Sequence, residues 1–137
     1  MADLAAIRAG IARNLSVIPD LQVSAYMLAN PTPPCVQVIP GDTDFDLSMH
    51  RGLDEITMRV VVTVGLVADI GAQVSLDEYL DGSGPRSIKQ AVESDSTLGG
   101  VVADASVTTA TGPKVLASEQ GGVLFSEWTV QVIGTGG

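Results

Sequence analysis

The sequence predicts an α+β domain, in which an antiparallel or mixed sheet of about four to five strands carries helices on one side. Three observations favour this fold class: a helical repeat near the N-terminus, a long alternating stretch from Ile56, and two consecutive helical segments between groups of strands. The predicted order is α-β-β-β-α-α-β-β. Because strands and helices do not alternate strictly, this order favours segregated layers over a doubly wound fold. At 137 residues, one domain over 1–137 is expected.

The first helix is predicted over residues 3–17. Its apolar side chains recur at helical spacing on one face: Leu4, Ile7, Ile11 and Leu15. Gly10 is expected to weaken this helix, and Pro19 ends it.

Two shorter strands are predicted next, at Leu21–Met27 and Cys35–Ile39. A proline-rich connector at 30–34 separates them, because each proline fixes φ and removes a backbone donor. Pro40-Gly41 is expected to end the second strand and to open a polar loop over 41–54.

The clearest element is a long strand that starts at Ile56. One face is apolar and holds Ile56, Met58, Val60, Val62, Val64 and Leu66. The other face is mixed and holds Thr57, Arg59, Val61, Thr63, Gly65 and Val67. This alternation is typical of an antiparallel strand with one dry side.

Two helices and two C-terminal strands complete the prediction. The first of these helices covers Ile70–Leu80 and has Ala72, Leu76, Tyr79 and Leu80 on its apolar face. The second covers Arg86–Glu93, with Pro85 in its first turn and with Ile88 and Val92 pointing inward. The strands are Val101–Thr109, extending toward Leu116 as an irregular arm, and Val123–Ile133. In the last strand Leu124, Trp128, Val130 and Val132 line one face, and Glu127, Thr129 and Gln131 line the other.

The charge balance disfavours one class of function. The formal net charge is -9 and the seven basic residues are scattered along the chain. Binding to nucleic acid depends on clustered Lys and Arg, so a phosphate-binding role is not expected. The single cysteine, Cys35, cannot form an internal disulfide and indicates a reducing compartment. Neither a signal peptide nor a membrane-spanning stretch is expected.

The residues that could carry chemistry do not form a complete set. His50 is the only histidine and lies in the predicted loop, where nothing in the sequence orients it as a base. Asp42, Asp44 and Asp46 match the first ligand spacings of a calcium loop, but the required glycine and glutamate are replaced by Leu47 and Leu53. We therefore predict no catalytic residue, no metal site and no cofactor.

The loop at 41–54 is the candidate partner interface. It offers Phe45 and Met49 as apolar anchors and Arg51 as a fork for a carboxylate, with Asp54 and Glu55 at its end. A solvated loop with no partner is the alternative reading of the same residues.

Several stretches, taken in their order along the chain, resemble a known family. These stretches are LANPTPP at 28–34, PG at 40–41, FD at 45–46, MHRGLDE at 49–55, AQ at 72–73, LDEYLDGSGP at 76–85, SIKQAVE at 87–93, LGG at 98–100 and EW at 127–128. Together they resemble the tail terminator, or tail completion, proteins of long-tailed bacteriophages that infect actinobacteria. The resemblance covers nearly the whole chain.

The resemblance implies a structural virion protein and not an enzyme. Its subunits would form a homo-oligomeric ring, expected to be a hexamer, at the neck end of the tail, after assembly in the host cytoplasm. The ring would cap the tail tube protein, stop its elongation and present a joining surface to the head-tail connector or stopper protein. DNA would pass through the lumen without specific binding, and no membrane would be involved.

Two other classes of function stay open at this point. One is another phage joining protein, such as a head-completion or stopper subunit, or a tail-tube subunit. The other is a small metal-dependent hydrolase that uses the three aspartates at 42, 44 and 46 together with His50.

Overall fold

The α+β fold class is confirmed by a computed structural model, which describes residues 4–18, 21–24, 35–44, 53–66, 70–100, 102–118 and 121–135. Its three helices are α1 (Leu4–Leu15), α2 (Ile70–Leu80) and α3 (Ile88–Glu93). Its six strands are β1 (Gln22–Ser24), β2 (Cys35–Asp44), β3 (Leu53–Leu66), β4 (Val102–Ala110), β5 (Lys114–Ser118) and β6 (Gly121–Thr135). The described part therefore holds more strands than the expected four to five.

All six strands belong to one mixed sheet with the order β1-β2-β3-β6-β4. Strand β1 pairs with β2 in parallel, and the other pairs are antiparallel. The centre of the sheet is the pair β3 and β6, of 14 and 15 residues.

The additional strand comes from the predicted irregular arm. Strands β4 and β5 lie end to end along the same side of β6: β4 pairs with residues 128–134 and β5 with residues 121–125. Gly112-Pro113 separates them, since proline cannot donate to a strand ladder. One predicted arm is thus two strands.

The core lies between the helices and one face of the sheet. The alternation predicted for β3 is confirmed from Ile56 to Val64, because Ile56, Met58, Val60, Val62 and Val64 are all buried. A register shift between Thr63 and Gly65 interrupts it, and Val67 lies outside the described residues. In β6 the predicted inward residues Leu124, Trp128, Val130 and Val132 are also buried. Residues from all three helices join the same core cluster. We call this the covered face of the sheet.

Helix α1 is held at the covered face by its contact with the turn that follows α3. A Cβ atom on Gly10 would lie 2.7 Å from the Cβ of Leu98, far closer than side chains approach each other. Gly10 was expected only to weaken the helix, but here the missing side chain allows α1 to reach this turn. The buried Asn14 side chain adds hydrogen bonds from Nδ2 to the carbonyls of Val92 and Asp95, both 3.0 Å.

The third helix begins later than the predicted Arg86. Ser87 is the N-cap: its Oγ accepts a hydrogen bond from the Gln90 N–H (3.1 Å) and donates one to the Asp81 carbonyl (2.6 Å). Serine is a preferred N-cap residue because its oxygen satisfies a free amide of the first turn. The predicted inward residues Ile88 and Val92 are buried, as expected.

Candidate assembly surfaces

The structure corrects the predicted loop at 41–54. Strand β2 continues through Pro40-Gly41 to Asp44, and β3 already begins at Leu53. The pairing of β2 with β3 shifts between Pro40 and Thr43, so the Pro-Gly pair sits in a bulge and does not end the strand. A Cβ on Gly41 would lie 2.8 Å from the Thr57 carbonyl oxygen, which explains why glycine occupies this close approach.

The candidate interface residues divide into two groups. Phe45, Met49 and Arg51 lie outside the described residues, so their predicted role stays a prediction. Asp54 and Glu55 are part of β3 and not of a loop: their Cα partners on β6 are Gly134 and Ile133. The structure therefore locates only these two of the five residues, side by side in β3.

The acidic stretch has a backbone unlike that of a calcium loop. Asp42 and Asp44 lie in β2, where Thr43 is opposite Ile56 and Asp44 is opposite Glu55. Asp46 and His50 lie outside the described residues. Among the residues that are described, no three or more His, Cys, Asp or Glu side chains form a group that could hold a metal ion.

The face of the sheet opposite the helices is a mixed surface, which we call the second face. The strand registers place on it Cys35, Gln37 and Ile39 of β2, Thr57, Arg59, Val61 and Thr63 of β3, and Phe125, Glu127, Thr129 and Gln131 of β6. Its β2 end is buried at Cys35 and Gln37, whereas the β3 and β6 residues are half-buried apart from one exposed side chain. Burial raises the pKa of the Cys35 thiol despite its hydrogen bonds with Thr63, so this thiol stays protonated.

On β3 the exposed side chain of the second face is Arg59, and on β4 and β5 the registers place the exposed Asp104, Thr109 and Lys114 on the same face. Arg59 lies at the middle of β3, between Ile39 of β2 and Thr129 of β6. Glu127 is on the same face, yet within the described part of the chain Arg59 forms no ion pair with it or with any other carboxylate. A guanidinium surrounded by half-buried Val, Ile and Thr side chains is typical of protein interfaces, where arginine is enriched.

Helix α2 carries a second surface, on the side turned away from the core. Its inner side is buried through Ala72, Leu76 and Tyr79, as predicted. Its outer side, together with the residue that follows its end, presents a stripe at helical spacing, which we call the outer stripe: Ile70, Val74, Asp77 and Asp81. Ile70 and Val74 are 73% and 53% exposed. The outer stripe was not predicted from the sequence. Its signal there is a pair of apolar residues, four positions apart, that do not belong to the predicted apolar face of the helix.

The edges of the sheet are poorly suited to pairing with another strand. At one edge the described part of β1 has three residues. At the other, β4 has register shifts near both ends, and the Val107 N–H donates to Glu93 Oε2 (2.9 Å) and not to a strand. Short, bulged or capped edges oppose strand addition.

The carboxylate of Glu93 is also bound by Lys89 Nζ at 2.7 and 2.8 Å. Burial by itself raises the pKa of Glu93, but the hydrogen bonds from Lys89 and Val107 and the Lys89 charge outweigh it and lower the pKa. Glu93 therefore stays ionised while it caps the strand edge.

Two shallow clefts open on the helix side. One, of about 190 Å³, lies between the end of α1 and the start of α3, and the other, of about 140 Å³, lies beside β4 and Trp128. Both are smaller than the roughly 300 Å³ of a typical small-molecule site. Neither of these two clefts is therefore a deep pocket.

No helix in the described ranges has both the length and the apolar character needed to cross a membrane. A comparison of the chain with models of protein families finds no match, and a comparison with curated proteins finds none either.

Proposed function

We propose that this chain is the ring-forming tail terminator of a long-tailed bacteriophage. The ring caps the tail tube, stops its elongation and offers a joining surface to the head-tail connector or stopper protein. The subunit works as a structural protein of the virion neck and catalyses no reaction.

The first support is the agreement between the fold and the resemblance. The family-like stretches run in order through nearly the whole chain, and they imply a compact α+β subunit. The described helices and strands form such a fold, with one sheet and one helix layer. The LDEYLDGSGP stretch at 76–85 forms the second half of α2 and the connection to α3.

The observation that carries the proposal is the second face of the sheet. It is broad, because β3 and β6 run together for most of their length, and it combines half-buried apolar residues with polar ones. One of its exposed cations, Arg59, lies near its centre. Such a face is suited to contact between rigid subunits, since protein interfaces combine an apolar centre with polar groups.

The charge of the chain is also compatible with a channel for DNA. A net charge of -9 on each subunit, repeated around a ring, makes an acidic assembly. Phosphates are repelled by such a surface, so DNA slides through the lumen without adhering. A lumen lined mainly by Lys and Arg in the assembled ring would contradict this part of the proposal.

The proposal is tested by adding the protein to purified, polymerising tail-tube subunits and measuring tube length by electron microscopy. The expected result is a shorter length distribution with a ring at one tube end. An unrelated acidic protein of similar net charge is the control for nonspecific effects. Tubes that elongate equally with and without the protein would refute termination.

The same micrographs separate the proposal from its nearest alternative. A tail-tube subunit polymerises alone into long cylinders, whereas a terminator stops at one ring or a stacked pair. Long cylinders of the isolated protein would therefore assign it to the tube.

A further inference from the structure

We infer that copies of this chain associate head to tail, with the outer stripe of α2 in one copy docked on the second face around Arg59 in the next. This inference rests on the proposed function only in expecting that the chain assembles with itself. It adds which surfaces meet and which charges pair.

The apolar part of the contact comes from the outer stripe. Ile70 and Val74 are more than half exposed, although they belong to a helix whose other side is buried in the core. Solvent-exposed aliphatic residues in adjacent turns of one helix form a ridge. On the second face, Val61 and Ile39 beside Arg59 are half-buried and offer a matching apolar floor. Burying such surface favours association.

Charge complementarity selects the occupant. The outer stripe continues from its apolar turns into Asp77 and Asp81, which are exposed and, within the described residues, form no ion pair. Arg59 is the counterpart, an exposed cation without an ion pair at the centre of the second face. Glu127, diagonal to Arg59 on the second face, is half-buried, so the exposed charge at the centre of this face is the cation, and the outer stripe of a second copy supplies carboxylates for it. Arginine also binds carboxylates through two parallel hydrogen bonds.

The positions of the two surfaces determine the kind of assembly. The outer stripe lies on the helix layer and the second face lies on the opposite side of the sheet, so one copy cannot use the same patch twice in a two-fold dimer. The contact is heterologous, and heterologous contacts close into rings when the rotation between neighbours divides a full turn. A heterologous contact of this kind is compatible with a ring. It does not require strand pairing at the edges of the sheet, where β1 and β4 are poorly suited to it.

The test begins with the oligomeric state of the full chain, measured by analytical ultracentrifugation over a range of concentrations. Arg59→Glu is expected to raise the dissociation constant on the order of 100-fold, because it places a carboxylate opposite two others. Asp77→Arg alone is expected to weaken association in the same direction. Combining Arg59→Glu with Asp77→Arg restores a pair of opposite charges and is expected to recover assembly to within about tenfold of the wild type.

Two matched controls separate the contact from general effects. Lys114→Glu makes the same charge change at the end of the second face, on β5 opposite Phe125 and four positions along β6 from Thr129, and is expected to weaken association much less than Arg59→Glu. Val74→Asp should weaken association, whereas Val17→Asp, at a valine that is 67% exposed at the end of α1, should not. Circular dichroism of each variant checks that the monomer stays folded. We expect it to, because substitutions at exposed positions usually change stability little.

The outcomes distinguish this inference from the proposed function. A wild-type chain that stays monomeric at concentrations where a micromolar contact would form overturns the inference, and so does loss of assembly in Lys114→Glu equal to that in Arg59→Glu. Assembly that survives Arg59→Glu also overturns it, even if the protein still shortens tubes. Assembly that is lost in Arg59→Glu and recovered in the charge swap supports the inference, even if tube length is unaffected and termination is refuted.

Discussion

Trp128 and Thr129 are neighbours in β6, yet they lie on opposite faces of the sheet. Trp128 is 1% exposed on the covered face, whereas Thr129 is half-buried on the second face. The same alternation runs through β3, where Val60 is fully buried and Arg59 is exposed. The difference teaches that one strand can have two unlike faces: one face supplies the cohesion of the fold, and the other stays partly exposed.

The largest effect is expected from removing the biggest side chain of the covered face. Trp128→Ala should lower the free energy of unfolding by about 3–5 kcal/mol, because it leaves a large cavity in a close-packed core. Thr129→Ala, on the second face, should change it by less than about 0.5 kcal/mol. Urea unfolding of both variants measures the contrast. Equal losses of unfolding free energy in the two variants would contradict the difference between a packed covered face and a partly exposed second face.

A smaller loss is expected where α1 approaches the turn at Leu98. In Gly10→Ala the new methyl group would have to displace Leu98, and the stability should fall by about 1–3 kcal/mol. Gly82→Ala is the control, since a Cβ there meets nothing within 4 Å. The higher helix propensity of alanine by itself predicts the opposite result, a stabilised helix. A more stable Gly10→Ala variant would show that α1 does not pack closely against Leu98.

The covered face has one polar exception. Ser126 is fully buried, and within the described residues its Oγ has no hydrogen-bond partner. An unpaired buried hydroxyl carries a desolvation cost, so Ser126→Ala should leave stability unchanged or raise it by about 1 kcal/mol. Thermal unfolding measures this, with Ser94→Ala as the control, because Ser94 Oγ donates to the Ala91 carbonyl. A clear loss in Ser126→Ala would mean that the hydroxyl is satisfied.

The smallest effect is expected at the capped edge of β4. The pKa of Glu93 is lower in the folded chain than its ordinary value, so its ionised form favours folding. That contribution is complete above about pH 4.3, the usual pKa of glutamate, and is lost as the pH falls through the lower folded-state value. Glu93→Gln should therefore reduce stability at neutral pH and flatten its acid dependence. Unfolding curves from pH 7 to 3 test this, and an unchanged acid slope would count against it.

Much of the fold was readable from the sequence. The alternation in β3 and β6 identified the buried face residue by residue, because a strand must place successive side chains on opposite sides. The helical spacing in α1 and α2 did the same for the helix layer. The predicted bounds of α2 are those of the structure.

The errors have a common physical cause. Pro40-Gly41 reads as a strand end and Gly10 as a weak point in a helix, because propensities describe a residue without its neighbours. In the fold, Gly41 approaches the Thr57 carbonyl and Gly10 approaches Leu98, and these contacts decide what the glycines do. The shift in the start of α3 has a similar origin, since the Ser87 side chain caps it by bonding to Asp81.

The candidate surface was the least predictable part. The sequence directed attention to Phe45, Met49 and Arg51, which lie outside the described residues. It did not single out Arg59 together with Asp77, because they are on separate elements and on opposite layers. Only the arrangement of the layers shows that these two residues lie on opposite sides of the molecule, which is the basis of the contact that we infer between copies.

By itself the sequence determined the fold class, the buried face of each long strand and the acidic charge of the chain, since all three follow from periodicity or composition. The tertiary structure decided which glycines mark close contacts, how β4 and β5 share one side of β6, and which exposed groups face away from the core. Those features depend on distances between residues far apart in the chain, which local pattern does not encode.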